Sequence, residues 1–356
     1  MLRIEDIDSN FKLPELDEPD IEWKNARDER FTLLGVYFDD QMGRYMRMPQ
    51  DVASQVNQGV SNLCKHTSGG RLRFITDSPY VAVKAVVPSH SIMKNMCPIG
   101  TTGFAVYIDG TYRGSIVPDQ VEMMSTTQPR SGIQGIHKFG NTNAKNSEIY
   151  FPLYNGVFEM YVGIKKGSTL APLPIADPRR VVFYGSSITQ GGCATRPGND
   201  YSAILCRKLG VDYVNMGFSG NAKGETTMAE YLGDMHFDVY VIDYDHNAPT
   251  VEHLSATHYP FYQTIRAKNP DTPIIFVSKP DFKGNANDIT RRDLIRANYE
   301  RALGEGDSAV YFVDGETLFG DEDRDACTLD GCHPNDLGFY RMATVIGPVV
   351  AKVLCK

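Results

Sequence analysis

The sequence predicts an α/β fold in two parts: a β-sandwich of jelly-roll type, then a three-layer unit built on a parallel sheet. Three observations carry this expectation. Residues 31–164 hold many short apolar runs separated by turn signals, the texture of a sandwich. After residue 176, apolar runs alternate with helical segments across short connections, which means a parallel sheet covered on both faces. Between them lies a Gly/Ser/Pro-containing linker, Gly167-Ser168-Thr169-Leu170-Ala171-Pro172-Leu173-Pro174. A chain of 356 residues also exceeds one ordinary core.

Residues 1–30 are acidic, contain Pro14 and Pro19 and carry the single Trp at 23; they are expected to form an arm over the body. The sandwich is expected over 31–170. Runs at 72–75, 81–87 and 104–108 read as strands, bounded by Ser68-Gly69-Gly70, Asp77-Ser78-Pro79 and Asp109-Gly110. Arg71 to Thr76 alternates polar and apolar, as a half-buried strand should. β-prone residues around Asp109-Gly110 predict a hairpin over 107–112. A last strand covers 161–164.

The second part is expected over 176–356. Strands are predicted at 181–184, 212–216, 238–243, 273–277 and 309–313, and helices at 200–209, 226–232, 259–268, 293–303 and 338–354. Binding sites in such sheets lie beyond the carboxyl ends of the strands. Functional residues are therefore sought in the segments that follow them.

Composition narrows the function classes. Hydrophobic content of 42% and charged content of 22% are those of a globular protein. A net charge of −8 argues against nucleic acid as the main partner. No run of eighteen apolar residues is present, so no membrane span is expected. The acidic N-terminus lacks the apolar core of a secretory signal, which predicts a cytoplasmic protein. Seven cysteines without regular spacing read as reduced thiols. Cys327 and Cys332 lie five apart with no second pair, so no zinc site is expected. Cys332 reads as a small packed residue.

Four segments carry candidate chemistry. Ser187, in Tyr184-Gly185-Ser186-Ser187-Ile188-Thr189, follows one strand and precedes a helix whose N–H groups favour developing negative charge. Gly220, in Phe218-Ser219-Gly220-Asn221, follows the next; its backbone N–H can approach a substrate oxygen. Asn247, in Asp245-His246-Asn247-Ala248-Pro249, follows the third; a side-chain amide there can complete an oxyanion hole. Asp330 and His333 share one short loop before the last helix. Such a pair lets the carboxylate orient the imidazole, the imidazole take the serine proton, and the alkoxide attack a carbonyl. Each segment alone also fits a plainer role: a helix cap, a glycine turn, a solvated loop cluster, a capped turn. Their order, each after a predicted strand, is far more specific than any one. His66, His137, His236, His253 and His258 receive no role.

These four blocks resemble those of the SGNH (GDSL-type) hydrolases. The family supplies a serine nucleophile, a glycine and an asparagine for the oxyanion hole, and an Asp-x-x-His pair; the matching positions are Ser187, Gly220, Asn247, Asp330 and His333. Ser186 stands where the family has Asp, and Asp245-His246-Asn247-Ala248 replaces Gly-x-Asn-Asp. Ser61 to Phe74, Gly103-Phe104-Ala105-Val106-Tyr107 and Phe151 to Gly156 resemble the GxDLY domain, with Ala105-Val106 in place of Asp-Leu. Gly191 to Gly198 is similar to the loop such two-domain members carry after the nucleophile; Arg196 within it either orders the loop or meets substrate.

The resemblance implies a flavodoxin-like sheet and a serine esterase. Its oxyanion would be held by the Ser187 and Gly220 amides and the Asn247 side chain. It further implies that the esterase removes acyl groups, acetyl foremost, from carbohydrate esters, without metal or organic cofactor. The expected partner is a small-molecule or oligosaccharide ester. Two alternatives stay open: an acyltransferase on the same triad, and a catalytically inactive carbohydrate-binding protein. Oligomeric state, including a homo-oligomer, is not legible.

Overall fold

The computed structural model describes residues 16–89, 93–117, 130–280 and 283–355. The chain divides into two compact units, 1–46 with 65–174 and 47–64 with 175–356.

The first unit consists of antiparallel strands. One sheet has the order β1-β11-β6-β9, from β1 (Ile21–Asn25), β6 (Tyr80–Pro88), β9 (Arg130–Lys138) and β11 (Glu159–Lys165). The other has the order β12-β5-β10-β7-β8, from β5 (Arg71–Thr76), β7 (Phe104–Ile108), β8 (Thr111–Ile116), β10 (Lys145–Tyr150) and β12 (Leu170–Pro172). A short β2 (Thr32–Leu34) pairs with β5, and β3 (Tyr37–Asp39) forms a hairpin with β4 (Arg44–Met46). Alternate residues of both sheets meet in one core, including Val81, Val83, Ile133 and Val162 from the first and Leu72, Phe74, Val106 and Ile149 from the second. Period-two alternation places one face of each strand in that core. The predicted hairpin forms, with Asp109 at φ 50 and Gly110 at φ 73, the left-handed pair that a tight two-residue turn requires.

Two expectations are corrected here. Residues 21–25 are not an arm: they add to the sheet edge against Glu159–Lys165 in register Ile21↔Lys165 to Asn25↔Tyr161, and the Lys84 ammonium lies over the Trp23 ring at 5.5 Å. The rest of the expected arm up to residue 15 lies outside the described residues. Residues 47–64, expected in the sandwich, belong to the second unit. They form two short helices, α1 (Gln50–Val56) and α2 (Gln58–Leu63). A further turn, α3 (Pro98–Thr102), stays with the sandwich.

The second unit carries a five-stranded, wholly parallel sheet of order β14-β13-β15-β16-β17. Its strands are β13 (Asp177–Gly185), β14 (Val211–Gly217), β15 (Val239–Asp243), β16 (Ile274–Val277) and β17 (Val310–Val313). This is the flavodoxin-like order, whose switch point falls where the chain leaves β13 first to one side and later to the other. The helices are α4 (Ser187–Gln190), α5 (Tyr201–Leu209), α6 (Thr226–Asp234), α7 (Val251–Lys268), α8 (Ala286–Gly304) and α9 (Asp336–Leu354). They pack as two groups, α5 with α9, and α6 with α7 and α8, as right-handed crossovers on two faces require.

Two helices begin well before their predicted starts. Thr250 caps α7, accepting from His253 N at 3.1 Å, so Pro260 lies inside the helix rather than at its first turn. Asn285 caps α8, accepting from Asp288 N at 3.0 Å. Its first turns are polar and carry no apolar period. The last helix is long and apolar enough to cross a membrane by length and composition. Phe339, Met342, Ala343, Ile346, Val350 and Val353 are nevertheless buried in the unit, at the three-and-four spacing of a core helix.

Candidate active site

Three loops leave adjacent strand ends at the switch point. Ser187 follows β13, Gly220 follows β14 and Asn247 follows β15; β13 pairs with both other strands. The turn after β13 is tight. A Cβ at Gly185 would lie 2.1 Å from both the Asp243 carbonyl oxygen and Thr189 Oγ1, so only glycine fits. Ser186 caps α4, its Oγ accepting from Ile188 N at 3.1 Å. Ser187 is thereby left as the first helical residue.

Ser187 Oγ lies 2.9 Å from His333 Nε2, and His333 Nδ1 lies 2.8 Å from Asp330 Oδ2. The loop that carries the pair is closed on itself. Leu329 N donates to His333 O at 3.0 Å, and Asn335 N to Cys327 O at 2.9 Å. Asn335 then caps α9, accepting from Gly338 N at 3.1 Å. Asp330 Oδ1 accepts from the amides of His333 at 2.8 Å and Cys332 at 3.0 Å. Both carboxylate oxygens are therefore engaged.

Partial burial pushes the Asp330 carboxyl up, but the amide and imidazole of His333 outweigh it and hold the group at about 2. A depressed folded value means that Asp330 stabilises the fold above its ordinary range near 3.8 and loses that contribution as pH falls toward 2. Asp330→Asn should therefore flatten the loss of melting temperature between pH 4 and pH 2. Parallel melting curves for the two proteins would show the carboxylate to be irrelevant.

Gly220 stands at φ 69 in a loop held from three sides. Ser219 N donates to Gln190 Oε1 at 3.0 Å, Asn221 Nδ2 to Ser219 O at 2.7 Å, and Asn57 Nδ2 to Asn221 O at 3.0 Å. Asn247 ends a 3₁₀ turn, Asp245–Asn247. Its Oδ1 is buried and has no hydrogen-bond partner among the described residues. The backbone around it is gripped by buried Arg291, whose Nη1 donates to Asp245 O and, at 2.9 Å, to Ala248 O. Asp245 accepts from the amides of His246 at 2.8 Å and Lys279 at 3.0 Å. Burial raises the Asp245 carboxyl, but His246 and these amides reverse the effect and leave it lowered. Arg196 is half-buried in the loop after α4, where its carbonyl accepts from Asn199 N at 3.3 Å.

Sequence reasoning missed the supports of this site. Buried Arg47 donates through Nη1 to the carbonyls of Asn215 at 3.1 Å and Gly217 at 2.7 Å, and through Nη2 to Leu63 O at 2.7 Å. Its guanidinium stacks over Phe218 at 4.7 Å. It thus clamps the carboxyl end of β14, from which the Gly220 loop departs. Asp243, at the end of β15, is buried; Tyr201 Oη and Thr189 Oγ1 donate to its Oδ2 at 3.0 and 3.2 Å. Burial raises its carboxyl well above the ordinary range. An arginine 168 residues before its acceptor leaves no local signal.

A parallel sheet of this order, with a serine, a histidine and an aspartate hydrogen-bonded in series at its switch point, defines an ester-cleaving hydrolase of the SGNH class. The chain belongs to that family: residues 178–351 match the GDSL-like lipase/acylhydrolase family, and residues 21–170 match the N-terminal domain of SGNH-type esterases called GxDLY. Among solved structures, a protein described as a GDSL-like lipase from Bacteroides ovatus is 27% identical, with 94% of this chain and 98% of that one covered at a TM-score of 0.82. A salicylyl-acyltransferase from a tetracycline biosynthetic pathway is 21% identical, covering 94% and 98% at 0.76. A family two carbohydrate esterase from Clostridium thermocellum, in complex with cellohexaose, is 16% identical, covering 91% and 99% at 0.64. No curated protein matches the chain in sequence.

Proposed function

We propose that the protein is a serine esterase that removes acyl groups, acetyl foremost, from carbohydrate esters. The hydrogen-bonded series Ser187–His333–Asp330 carries this reading. His333 Nε2 takes the Ser187 proton as Oγ attacks the ester carbonyl, and ionised Asp330 stabilises the imidazolium. The oxyanion accepts from the Ser187 and Gly220 amides and the Asn247 side chain. His333 then gives its proton to the leaving alcohol, and water, deprotonated by His333 in turn, releases the acid. Arg196 is read as ordering the loop beside the nucleophile or meeting the alcohol portion.

The carbohydrate part rests on the fold shared with the carbohydrate esterases, one of them holding cellohexaose. It is tested by proton NMR of acetylated xylo- and manno-oligosaccharides incubated with the protein. Free acetate should accumulate, and no release from any acetylated sugar would remove the carbohydrate assignment. Labelling by a fluorophosphonate, with mass spectrometry placing the adduct on Ser187, separates the enzyme from an inactive binding protein. Asn247→Ala should lower kcat by about a hundredfold or more with KM little changed, as loss of one oxyanion donor does. An unchanged kcat would take Asn247 out of the oxyanion hole.

A second reading, acyl transfer to an acceptor alcohol, is favoured by the fold shared with the salicylyl-acyltransferase. Adding an acceptor alcohol to the NMR reaction distinguishes the two. A transferase forms the new ester in preference to the free acid.

A further inference from the structure

Cys193 lies six residues after the nucleophile, buried, in left-handed backbone at φ 73. A residue other than glycine is uncommon there. The loop imposes it: Gly192 N donates to Ser187 O at 2.7 Å, and Ala194 N to Gly191 O at 3.1 Å. Beyond Cys193, Thr195 N donates to Asp336 Oδ1 at 2.9 Å, which ties the loop to the start of α9. The consequence is a close grouping. A thiol sulfur of Cys193, a carboxylate oxygen of Asp330 and a ring nitrogen of His333 all lie within 4.8 Å of one another.

We propose that these three side chains form a binding site for one borderline-soft divalent cation, Zn²⁺ foremost, and that occupancy switches the enzyme off. Thiolate, imidazole and carboxylate are the donor set that zinc accepts, at about 2.0–2.3 Å, with water completing a tetrahedron. Donors around such an ion stand about 3.3–3.8 Å apart, so the grouping closes by side-chain movements on the order of 1 Å. Cys193 must give its thiol proton to solvent as the Zn–S bond forms, which makes binding stronger as pH rises. No electron is transferred. His333 spends one ring nitrogen on the ion. If that is Nδ1, the ring proton sits on Nε2 instead and the bond to Asp330 is lost; if it is Nε2, the bond to Ser187 is lost. Either way the serine no longer has an oriented base. The silencing rests on the esterase reading above, whereas the coordination does not.

The test uses the full chain with Cd²⁺ and Zn²⁺ added alone. Cd²⁺ should produce an ultraviolet thiolate-to-metal absorption band that saturates at one ion per chain above the background of the other thiols. Zn²⁺ over the same range should abolish nitrophenyl acetate hydrolysis, with recovery on chelation. Cys193→Ser should keep metal-free hydrolysis within about threefold and weaken Cd²⁺ and Zn²⁺ by about tenfold or more, the scale of losing a metal-site group. Cys193→Gly, which suits the left-handed backbone, should behave likewise and serves if the serine variant folds poorly. Cys332→Ser, in the same loop as Asp330 and His333, should leave the affinity unchanged. Wild-type affinity in both Cys193 variants, or full activity with the site saturated, would overturn the proposal. If the esterase reading alone is wrong, hydrolysis survives Ser187→Ala while the Cys193-dependent cadmium band remains.

Discussion

Ser187→Ala is expected to lower kcat/KM for nitrophenyl acetate by about 10⁴-fold or more while the protein stays folded. The size follows from the role proposed for one oxygen, 2.9 Å from His333 Nε2: in the proposed reaction it is both the nucleophile and the group the imidazole deprotonates. With the hydroxyl gone, only binding and the oxyanion donors remain, worth roughly 10³–10⁴ over water in related machinery. Stability should hold, because the cap of α4 belongs to the neighbouring hydroxyl. Ser186 Oγ accepts from Ile188 N. Ser186→Ala is therefore the contrasting variant, expected to cost about 1 kcal/mol of stability with kcat within a few-fold of wild type. Hydrolysis at the wild-type rate by Ser187→Ala would end the catalytic account.

Arg47→Met is expected to destabilise the protein by about 3 kcal/mol or more, read from the midpoint of chemical denaturation. The guanidinium is buried and serves the carbonyls of Asn215, Gly217 and Leu63. Each buried acceptor left unsatisfied costs about 1–3 kcal/mol, and a methionine of similar length satisfies none. Because Gly217 ends β14, kcat should also fall in whatever fraction remains folded. Arg47→Lys keeps the charge but not the planar fork that reaches two directions at once, so it should fall between. A midpoint unmoved by Arg47→Met would mean that water replaces the clamp and that residues 47–64 are not integral to this unit.

The strands of the parallel sheet were legible because burial on both faces leaves near-continuous apolar runs such as Val181-Val182-Phe183-Tyr184. Helix starts were less so. The first turns of α7 and α8 are set by Thr250 and Asn285 caps rather than by apolar periodicity. The strand at Ile21–Asn25 was hidden because an added edge strand is defined by its partner, here Glu159–Lys165. Polar residues with long-range hydrogen-bond partners, Arg47, Asn57, Gln190 and Arg291, carried no signal. Nothing in their local sequence distinguishes a buried clamp from a solvated side chain.

From the order of residues alone came the alternation of strands and helices, and the local blocks that hold a serine, a glycine, an asparagine and an Asp-x-x-His pair after successive strands. Those features are short-range: each is written within a few residues by pleat, cap or turn. Tertiary structure alone decided that Ser187 meets His333 across 146 residues, that residues 47–64 brace β14 rather than the sandwich, and that the Cys193 thiol lies within 4.8 Å of Asp330 and His333. Such meetings depend on which strand ends the sheet order makes adjacent, and no local pattern encodes that distance.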